Sequence, residues 1–435
     1  MTRRTRRFGS VLTAVVLGLS GCGSTSGNTP DPSGAAPGVT EKPCPHAVNH
    51  KHGCIYLGSL SDLTVGPFMP VAVPVTRAQQ AFWNRVNQQG GIGHYDIDVT
   101  TYLRDNKYDV ATQKQRYHEI KDKVLAFAQT LGSSPTAAIL PELRASKTVA
   151  VPVSWSSQWS FEDNILESGA SYCFESMNSV DYAVDAFEVR NVMALHYPGD
   201  YGGDAAAGAK IAARAHKLSF TDQPTGQGKD KQSAAVNALI KGKPDLVIMT
   251  TGPADAATIV AQAYARGFRG HYIGTSPAWT KELLNGPAGP ALKAQYLVSS
   301  PWKPFATDSP GHTAMRAALG QINPSDSYTS GWAFSYPLKA LLQKAAANKG
   351  LTRAGVLEAL KGLTTIDYEG MLPAEAGNFA GSPNTTAFRQ TVIERPASGE
   401  YTGSKVVKDF FAGPTAQDYE LKAPCYRQSA TTSGG

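Results

Sequence analysis

The stretch from Asn191 to Leu218, NVMALHYPGDYGGDAAAGAKIAARAHKL, has the pattern of one strand, one turn and one helix. Residues 192–195 form a short apolar run without alternation, which is typical of a strand covered on both faces in a parallel sheet. The glycine-rich segment 198–203 ends that strand, and Asp204 is positioned to cap a helix with alanines along one side. Because open α/β sheets bind ligands at the carboxyl ends of their strands, Tyr201 in this turn is expected at a cleft.

The same alternation of strand and helix continues on both sides of this stretch, which predicts α/β lobes built on doubly wound parallel sheets. The 435 residues are too many for one ordinary core and sufficient for two lobes. Residues 368–411, rich in glycine and threonine, favour β structure instead of another βα unit. We expect strands near 54–58, 96–102, 124–130, 244–249 and 270–274, and helices near 75–89, 109–120, 233–240, 254–266, 333–347 and 352–360.

The charge of the chain gives no electrostatic reason to expect a nucleic-acid partner. The formal net charge is +6, but Arg3, Arg4, Arg6 and Arg7 lie in a leader that contains no acid. Subtracting these four charges leaves +2 for the remainder, which is nearly balanced.

The leader has the features of a secretory signal peptide over residues 1–21. Its apolar run, residues 8–19, is shorter than the roughly 20 residues that a spanning helix needs. The sequence Leu19-Ser20-Gly21-Cys22 matches the bacterial lipobox, which implies a diacylglycerol on Cys22 and anchoring to the outer face of the cell membrane; an ordinary cleaved signal is the alternative. Residues 22–43 are rich in Gly, Ser, Thr and Pro and are expected to form a disordered tether.

Four further cysteines allow three disulfide pairings in an exported protein. Cys44 and Cys54 flank a short loop, so we expect them to pair, and Cys173–Cys425 follows by elimination.

The loop between Cys44 and Cys54 also contains His46, His50 and His52. Two thiolates and three imidazoles could together bind zinc or copper. The spacing fits no common zinc pattern, and an exported dithiol oxidises readily. We therefore expect a disulfide with exposed histidines and no metal, and keep a metal-handling protein as an alternative.

Residues 55–410 resemble the branched-chain amino-acid-binding (Leu/Ile/Val-binding) branch of the type I periplasmic solute-binding proteins of ABC importers. Five motifs carry the resemblance: residues 58–61, 87–92, 200–202, the 244–249 strand with its helix to 268, and 368–370. It implies two lobes joined by a three-strand hinge, with the ligand between them. The first lobe would comprise 54–172 and 300–368, the second lobe 173–299 and 369–425, and residues 426–435 a disordered tail.

The resemblance also implies which loops contact the solute. In this family a serine, backbone amides and a small-residue loop hold the ligand's carboxylate; the matching loops here are residues 131–136 and 152–157. Hydroxyls and free amides at a helix start are suitable donors for an anion. Tyr201 matches the tyrosine that closes over the ligand. The expected contacts are Ser133, Ser134, Ser154, Trp155, Ser156, Tyr201, Thr251, Ser276, Trp279 and Phe68.

One departure from the family concerns the ligand's ammonium group. Where amino-acid binders have a carboxylate, this chain has Thr275 and Ser276. A buried ammonium without a countercharge is costly, so an ordinary α-amino acid needs a substitute acid, for which Asp255, Asp62 and Glu175 are the candidates. Aromatic residues with hydroxyl donors favour a neutral or acidic, partly apolar or cyclic solute.

No nucleophile elbow, zinc-protease motif or Walker loop is present, so we expect no enzyme activity and no cofactor. The sequence predicts a monomeric, lipid-anchored receptor that binds an amino-acid-like or partly apolar solute by hinge closure and delivers it to an ABC permease. A sensor lipoprotein of the same fold, without transport, is the second interpretation.

Overall fold

Two β-sheets organise the chain in the computed structural model, which describes residues 36–427. In the first sheet, β2 pairs with β1, β3, β4 and β5, and β5 pairs with β6. All of these pairings are parallel except that of β1 with β2. The strands of this sheet are β1 Val39–Thr40, β2 Gly53–Ser61, β3 Tyr95–Asp98, β4 Leu103–Asp105, β5 Ala126–Leu131 and β6 Ala150–Val153.

The second sheet has seven strands in the order β13-β12-β11-β10-β9-β7-β8. β7 to β11 pair in parallel, whereas β12 and β13 are antiparallel, so residues 391–411 do form β structure instead of another βα unit. Its strands are β7 Asn191–His196, β8 Ser219–Pro224, β9 Leu246–Thr250, β10 His271–Thr275, β11 Tyr296–Ser300, β12 Thr391–Pro396 and β13 Ser404–Phe411.

Helices cover the sheets and complete two α/β lobes, which confirms the predicted fold class. We call the six-stranded sheet with its helices the first lobe, and the seven-stranded sheet with its helices the second lobe. The helices are α1 Met69–Gln88, α2 Val110–Ile120, α3 Ser133–Ala145, α4 Tyr172–Ala186, α5 Asp200–Ala215, α6 Ser233–Gly242, α7 Pro253–Ala265, α8 Gly289–Gln295, α9 Pro310–Leu319, α10 Ser327–Ala333, α11 Ser335–Ala347, α12 Arg353–Leu360, α13 Pro383–Thr386 and α14 Pro414–Asp418.

The chain passes between the lobes three times: from β6 to α4, from β11 to α9 and from α12 to β12. After the second passage, α9, α10 and α11 pack against α1 and so belong to the first lobe. The residue limits of the lobes given above remain predictions.

Asn191–Leu218 forms the expected strand and helix, but the helix starts earlier than its sequence indicates. β7 leads into α5 through Gly199, which precedes the helix at φ 108°. This positive φ favours glycine and turns the chain within three residues. The expectation that Asp204 caps the helix is therefore wrong, because Asp204 lies inside α5.

One other helix prediction needs correction. α1 begins at Met69 and not near residue 75, because Pro70 lies in the first turn, where no backbone N–H is needed, and the helix also accommodates Pro74. The helix predicted over 333–347 is confirmed as α11, Ser335–Ala347, and a separate short helix, α10, ends at Ala333 before it.

The structure contains the Cys44–Cys54 and Cys173–Cys425 disulfides, as the sequence predicts. Within residues 36–427, no helix has the length and apolar character needed to cross a membrane. The signal peptide of residues 1–21, Cys22 with most of its tether, and residues 428–435 of the predicted tail lie outside the described residues.

Candidate ligand cleft

A cavity of about 810 Å³, part of it open to solvent, lies between the lobes where their strands end. The first lobe supplies the ends of β5 and β6 with the start of α1, and the second lobe supplies the ends of β10 and β11 with the start of α5. α/β proteins commonly bind small molecules in such a position, between two lobes and at the carboxyl ends of strands.

Ser133 is the polar group that the fold prepares most clearly for a solute. It is the first residue of α3, its side chain is 1% exposed, and its hydroxyl has no hydrogen-bond partner among the described residues. Gly132, at φ 96°, turns the chain from β5 into this helix, and a Cβ there would collide with the Tyr108 ring. A buried hydroxyl at a helix N-terminus is arranged to donate to an anion or carbonyl oxygen.

Tyr201 stands opposite, in the first turn of α5. Its hydroxyl lies 2.8 Å from Thr275 Oγ1 in the same lobe, and its ring packs edge-on against Phe68 of the first lobe, with ring centroids 5.6 Å apart. Burial raises the pKa of Tyr201 well above its ordinary value, so the phenol stays neutral.

Aromatic rings form much of the cavity wall. They make a chain of contacts: Tyr172 lies 4.8 Å from Tyr201, Trp155 lies 6.0 Å from Tyr172, and Trp302 lies 4.6 Å from Trp155 between ring centroids. The seven aromatic residues that line the cavity are Phe68, Tyr108, Trp155, Tyr172, Tyr201, Trp279 and Trp302. Such walls bind flat rings and alkyl chains through burial of apolar surface.

Seven of the ten residues expected from the sequence lie on this wall: Phe68, Ser133, Ser154, Trp155, Tyr201, Ser276 and Trp279. Three do not line it. Ser134 faces Gly199 of the other lobe, Ser156 accepts a hydrogen bond from the Gln158 N–H at 3.4 Å, and the Thr251 hydroxyl donates to the Gly252 carbonyl at 3.3 Å.

The three acids proposed as partners for an ammonium group are also absent from the wall. Asp62 accepts the N–H groups of Gly66 and Phe68 and so shapes the loop before α1. Asp255 accepts from the Tyr197 hydroxyl at 2.6 Å. Burial raises the pKa of Glu175 well above its ordinary value, which favours the neutral acid.

Two other acids, Asp326 and Glu394, line the cavity, and the sequence interpretation missed them. Asp326 precedes α10 in the first lobe, and Glu394 lies in β12 of the second lobe. The Ser404 hydroxyl lies between them, 3.1 Å from Asp326 Oδ2 and in hydrogen-bond contact with Glu394 Oε2. No local pattern marks these residues, because their chemistry depends on segments far apart in the chain.

The histidine loop offers little for a metal. Cys44 and Cys54 are oxidised to a disulfide, so neither sulfur is a thiolate ligand. His46 and His50 are exposed, and His52 Nδ1 lies 3.5 Å from Asp96 Oδ1. Over residues 36–427, no three metal-ligating side chains are grouped in a way that would hold an ion.

The two-lobed fold is that of solute-binding proteins of ABC transporters. The family model described as periplasmic binding protein matches residues 55–392. The chain therefore belongs to the periplasmic binding protein family. No curated protein matches the sequence.

Three solved structures share the fold of this chain. A fatty acid ABC transporter substrate-binding protein from Thermomonospora curvata is similar, with a TM-score of 0.81 and 27% identity over 90% of this chain and 98% of that chain. A branched chain amino acid ABC transporter from Thermus thermophilus with bound valine has a TM-score of 0.73 and 17% identity, over 84% and 98%. A leucine binding protein from Thermotoga maritima has a TM-score of 0.67 and 16% identity, over 81% and 97%.

Proposed function

We propose that this protein is an extracytoplasmic receptor of an ABC importer that captures a carboxylate solute with an apolar body between its lobes and presents it to a membrane permease. Lipid anchoring through Cys22 is part of the proposal and is supported by the lipobox match at residues 19–22. The folded lobes would then remain near the permease on the tether.

The single observation that carries the proposal is the combination of an aromatic cavity wall with the buried Ser133 hydroxyl, which has no hydrogen-bond partner within residues 36–427. Burial of an alkyl chain or ring contributes roughly 25 cal/mol per Å² of apolar surface. The hydroxyl and the start of α3 would hold the carboxylate without a buried cation. The similarity to the fatty acid-binding protein from Thermomonospora curvata favours the same solute class.

An amino-acid solute is the second candidate, because Asp326 lines the cavity and would attract an ammonium group. Against it, the oxygens of Asp326 already accept the Phe305 N–H at 2.8 Å and contact Ser404. A calorimetric comparison of decanoate, phenylacetate, leucine and valine decides between the two classes. Binding of the amino acids alone would reject the carboxylate proposal.

Replacing Ser133 by alanine should weaken decanoate binding by roughly 1–3 kcal/mol, because the carboxylate loses a buried hydrogen bond. Isothermal titration of wild type and Ser133→Ala measures this difference. Ser398→Ala, on an exposed turn, is the matched control and should bind as wild type does. Equal affinities for wild type and Ser133→Ala would remove Ser133 from the site.

Transport and sensing share this fold and differ in the partner that recognises the closed form. Genes for a permease and an ATPase beside the coding sequence would support import. A signalling protein that binds the purified receptor only when solute is present would support a sensor instead.

A further inference from the structure

The contact of Asp326, Ser404 and Glu394 crosses from one lobe to the other. Asp326 precedes α10, which packs on α1 of the first lobe, whereas Glu394 and Ser404 lie on the antiparallel β12–β13 hairpin of the second lobe. Both acids also line the cavity. Any opening of the lobes must therefore separate Asp326 from Ser404.

The geometry favours one retained proton on the two acids, which we call the carboxyl pair. A serine hydroxyl has one proton, so it makes either one full hydrogen bond or two weaker ones that share the proton, and ionised carboxylates donate none. Ser404 Oγ nevertheless contacts an oxygen of each acid. Both contacts are full hydrogen bonds when a carboxyl O–H donates one of them to Ser404 Oγ, whereas two ionised carboxylates sharing one hydroxyl proton would also repel each other.

The surroundings indicate which acid holds the proton. Burial raises the pKa of Asp326, but the Phe305 N–H that it accepts, the Thr402 hydroxyl that it faces and the nearby Lys281 ammonium all act in the opposite direction and stabilise its charge. Glu394 is 2% exposed, and among the described residues only Ser404 offers its carboxyl group a hydrogen-bond donor. Burial, followed by repulsion from Asp326, raises the pKa of Glu394 well above its ordinary value. Glu394 is thus the neutral acid, and the Ser404 hydroxyl donates to Asp326.

We propose that Asp326, Ser404 and Glu394 are positioning residues that hold the lobes closed over the cavity only while the carboxyl pair retains its proton. This role depends on the proposed function, because closure is what retains the solute. It adds to that function a dependence of solute retention on external pH.

The sign follows from the direction of the pKa change. Glu394 has a raised pKa in the closed form, and an ordinary one once the lobes separate and water reaches it. Its contribution to closure is fully present below the open-form pKa and is lost as the pH rises through the closed-form pKa. The Lys281 ammonium lies 2.9 Å from Asn323 Oδ1 and favours the charge on Asp326. It does not compensate for the proton that Glu394 loses as the pH rises.

Small-angle X-ray scattering of the solute-free protein, from about pH 5.5 to about pH 8.5, tests the clasping role without a ligand; a solute carboxylate stays ionised over this range. The radius of gyration of wild type should increase as the pH rises. Glu394→Gln keeps a neutral donor facing Ser404 and should stay compact throughout. Ser404→Ala should be expanded at every pH. Glu400→Gln, an exposed glutamate on the same hairpin, should follow wild type.

Titration with decanoate over the same range adds the functional measurement. Wild-type affinity should fall at least about tenfold, the change produced by one unit of pKa coupling, while Glu394→Gln stays flat at the low-pH affinity. Identical pH profiles of wild type and Glu394→Gln in scattering or affinity would overturn the inference. A pH-dependent radius of gyration that Glu394→Gln abolishes, together with no decanoate binding at any pH, would uphold the carboxyl pair and reject the proposed solute.

Discussion

Tyr201 combines two roles in one side chain. Its hydroxyl is held within the second lobe by Thr275, whereas its ring contacts Phe68 of the first lobe and Tyr172 beside the hinge. The hydroxyl therefore fixes the orientation of the ring, and the ring forms a wall of the cavity.

This division predicts different effects for two substitutions at Tyr201. Tyr201→Ala removes the wall and should weaken decanoate binding by roughly 1–3 kcal/mol. Tyr201→Phe keeps the ring, removes the hydroxyl with its contacts to Thr275 Oγ1 and the Thr251 carbonyl, and should cost about 1 kcal/mol or less. Isothermal titration measures both. Tyr264→Ala on α7, away from the cavity, serves as control. An equal loss in both Tyr201 variants would mean that the hydroxyl itself contacts the solute.

Asp204 shows that a residue's role can depend on contacts that the local sequence does not reveal. Its position after a glycine-rich turn is typical of a helix cap, yet its carboxylate accepts the N–H groups of Ser157 and Cys173, each at 3.0 Å. Ser157 lies in the first passage between the lobes, and Cys173 lies at the start of α4, where that passage ends. Asp204 thus fastens α5 to the hinge, a role that depends on tertiary contacts and leaves no local pattern.

At the scale of the element, the burial of Asp204 in α5 leads us to expect that the stability of the fold depends on pH. Burial raises the pKa of Asp204 from 3.8 to about 7, against the opposing effect of its donors. Its contribution to folding is fully present below 3.8 and is lost as the pH rises through about 7. The melting temperature of wild type, relative to Asp204→Asn, should therefore fall as the pH increases between these values and then level off. The exposed variant Asp230→Asn should show no such trend, and a constant difference for Asp204→Asn would contradict the assignment.

Elements were more predictable than the contacts between them. Apolar runs such as Val192–Leu195 and the alternation of strand with helix identify buried strands because one local pattern decides each. The start of α1 was misplaced, since Pro70 and Pro74 are usually read as helix breakers. Likewise, the serine and aromatic contacts could be assigned by resemblance to a family, but Asp326 and Glu394 are 68 positions apart in the numbering and meet only when the lobes close.

On the scale of the whole molecule, the lobes meet at separate places around the cavity. Phe68 packs on Tyr201, the Ser404 hydroxyl contacts Asp326, and the Lys281 ammonium donates to Asn323 Oδ1 at 2.9 Å. These contacts describe a closed arrangement, in which a solute would be largely enclosed. Under our proposal, the contact of Ser404 with the carboxyl pair is the one of these three whose stabilising effect depends on pH.

The two disulfides should contribute unequally to stability. A disulfide reduces the conformational entropy of the unfolded chain more when it closes a longer loop, and the separations are 252 residues for Cys173–Cys425 and 10 for Cys44–Cys54. Cys425→Ser should therefore lower the free energy of unfolding more than Cys44→Ser, by roughly 3–5 against 2–3 kcal/mol. Each variant leaves a fully buried partner thiol, so the comparison is matched. Denaturant titration measures both, and a larger loss for Cys44→Ser would show that native-state contacts outweigh loop length.

The long disulfide also closes a covalent ring from Cys173 to Cys425 that contains the whole second sheet as well as α9 to α12 of the first lobe. A protease that cuts one surface turn inside this ring opens it without releasing a fragment, because both cut ends stay attached through the sulfur bridge. In a surrounding without reductant, such a nicked molecule keeps its full mass.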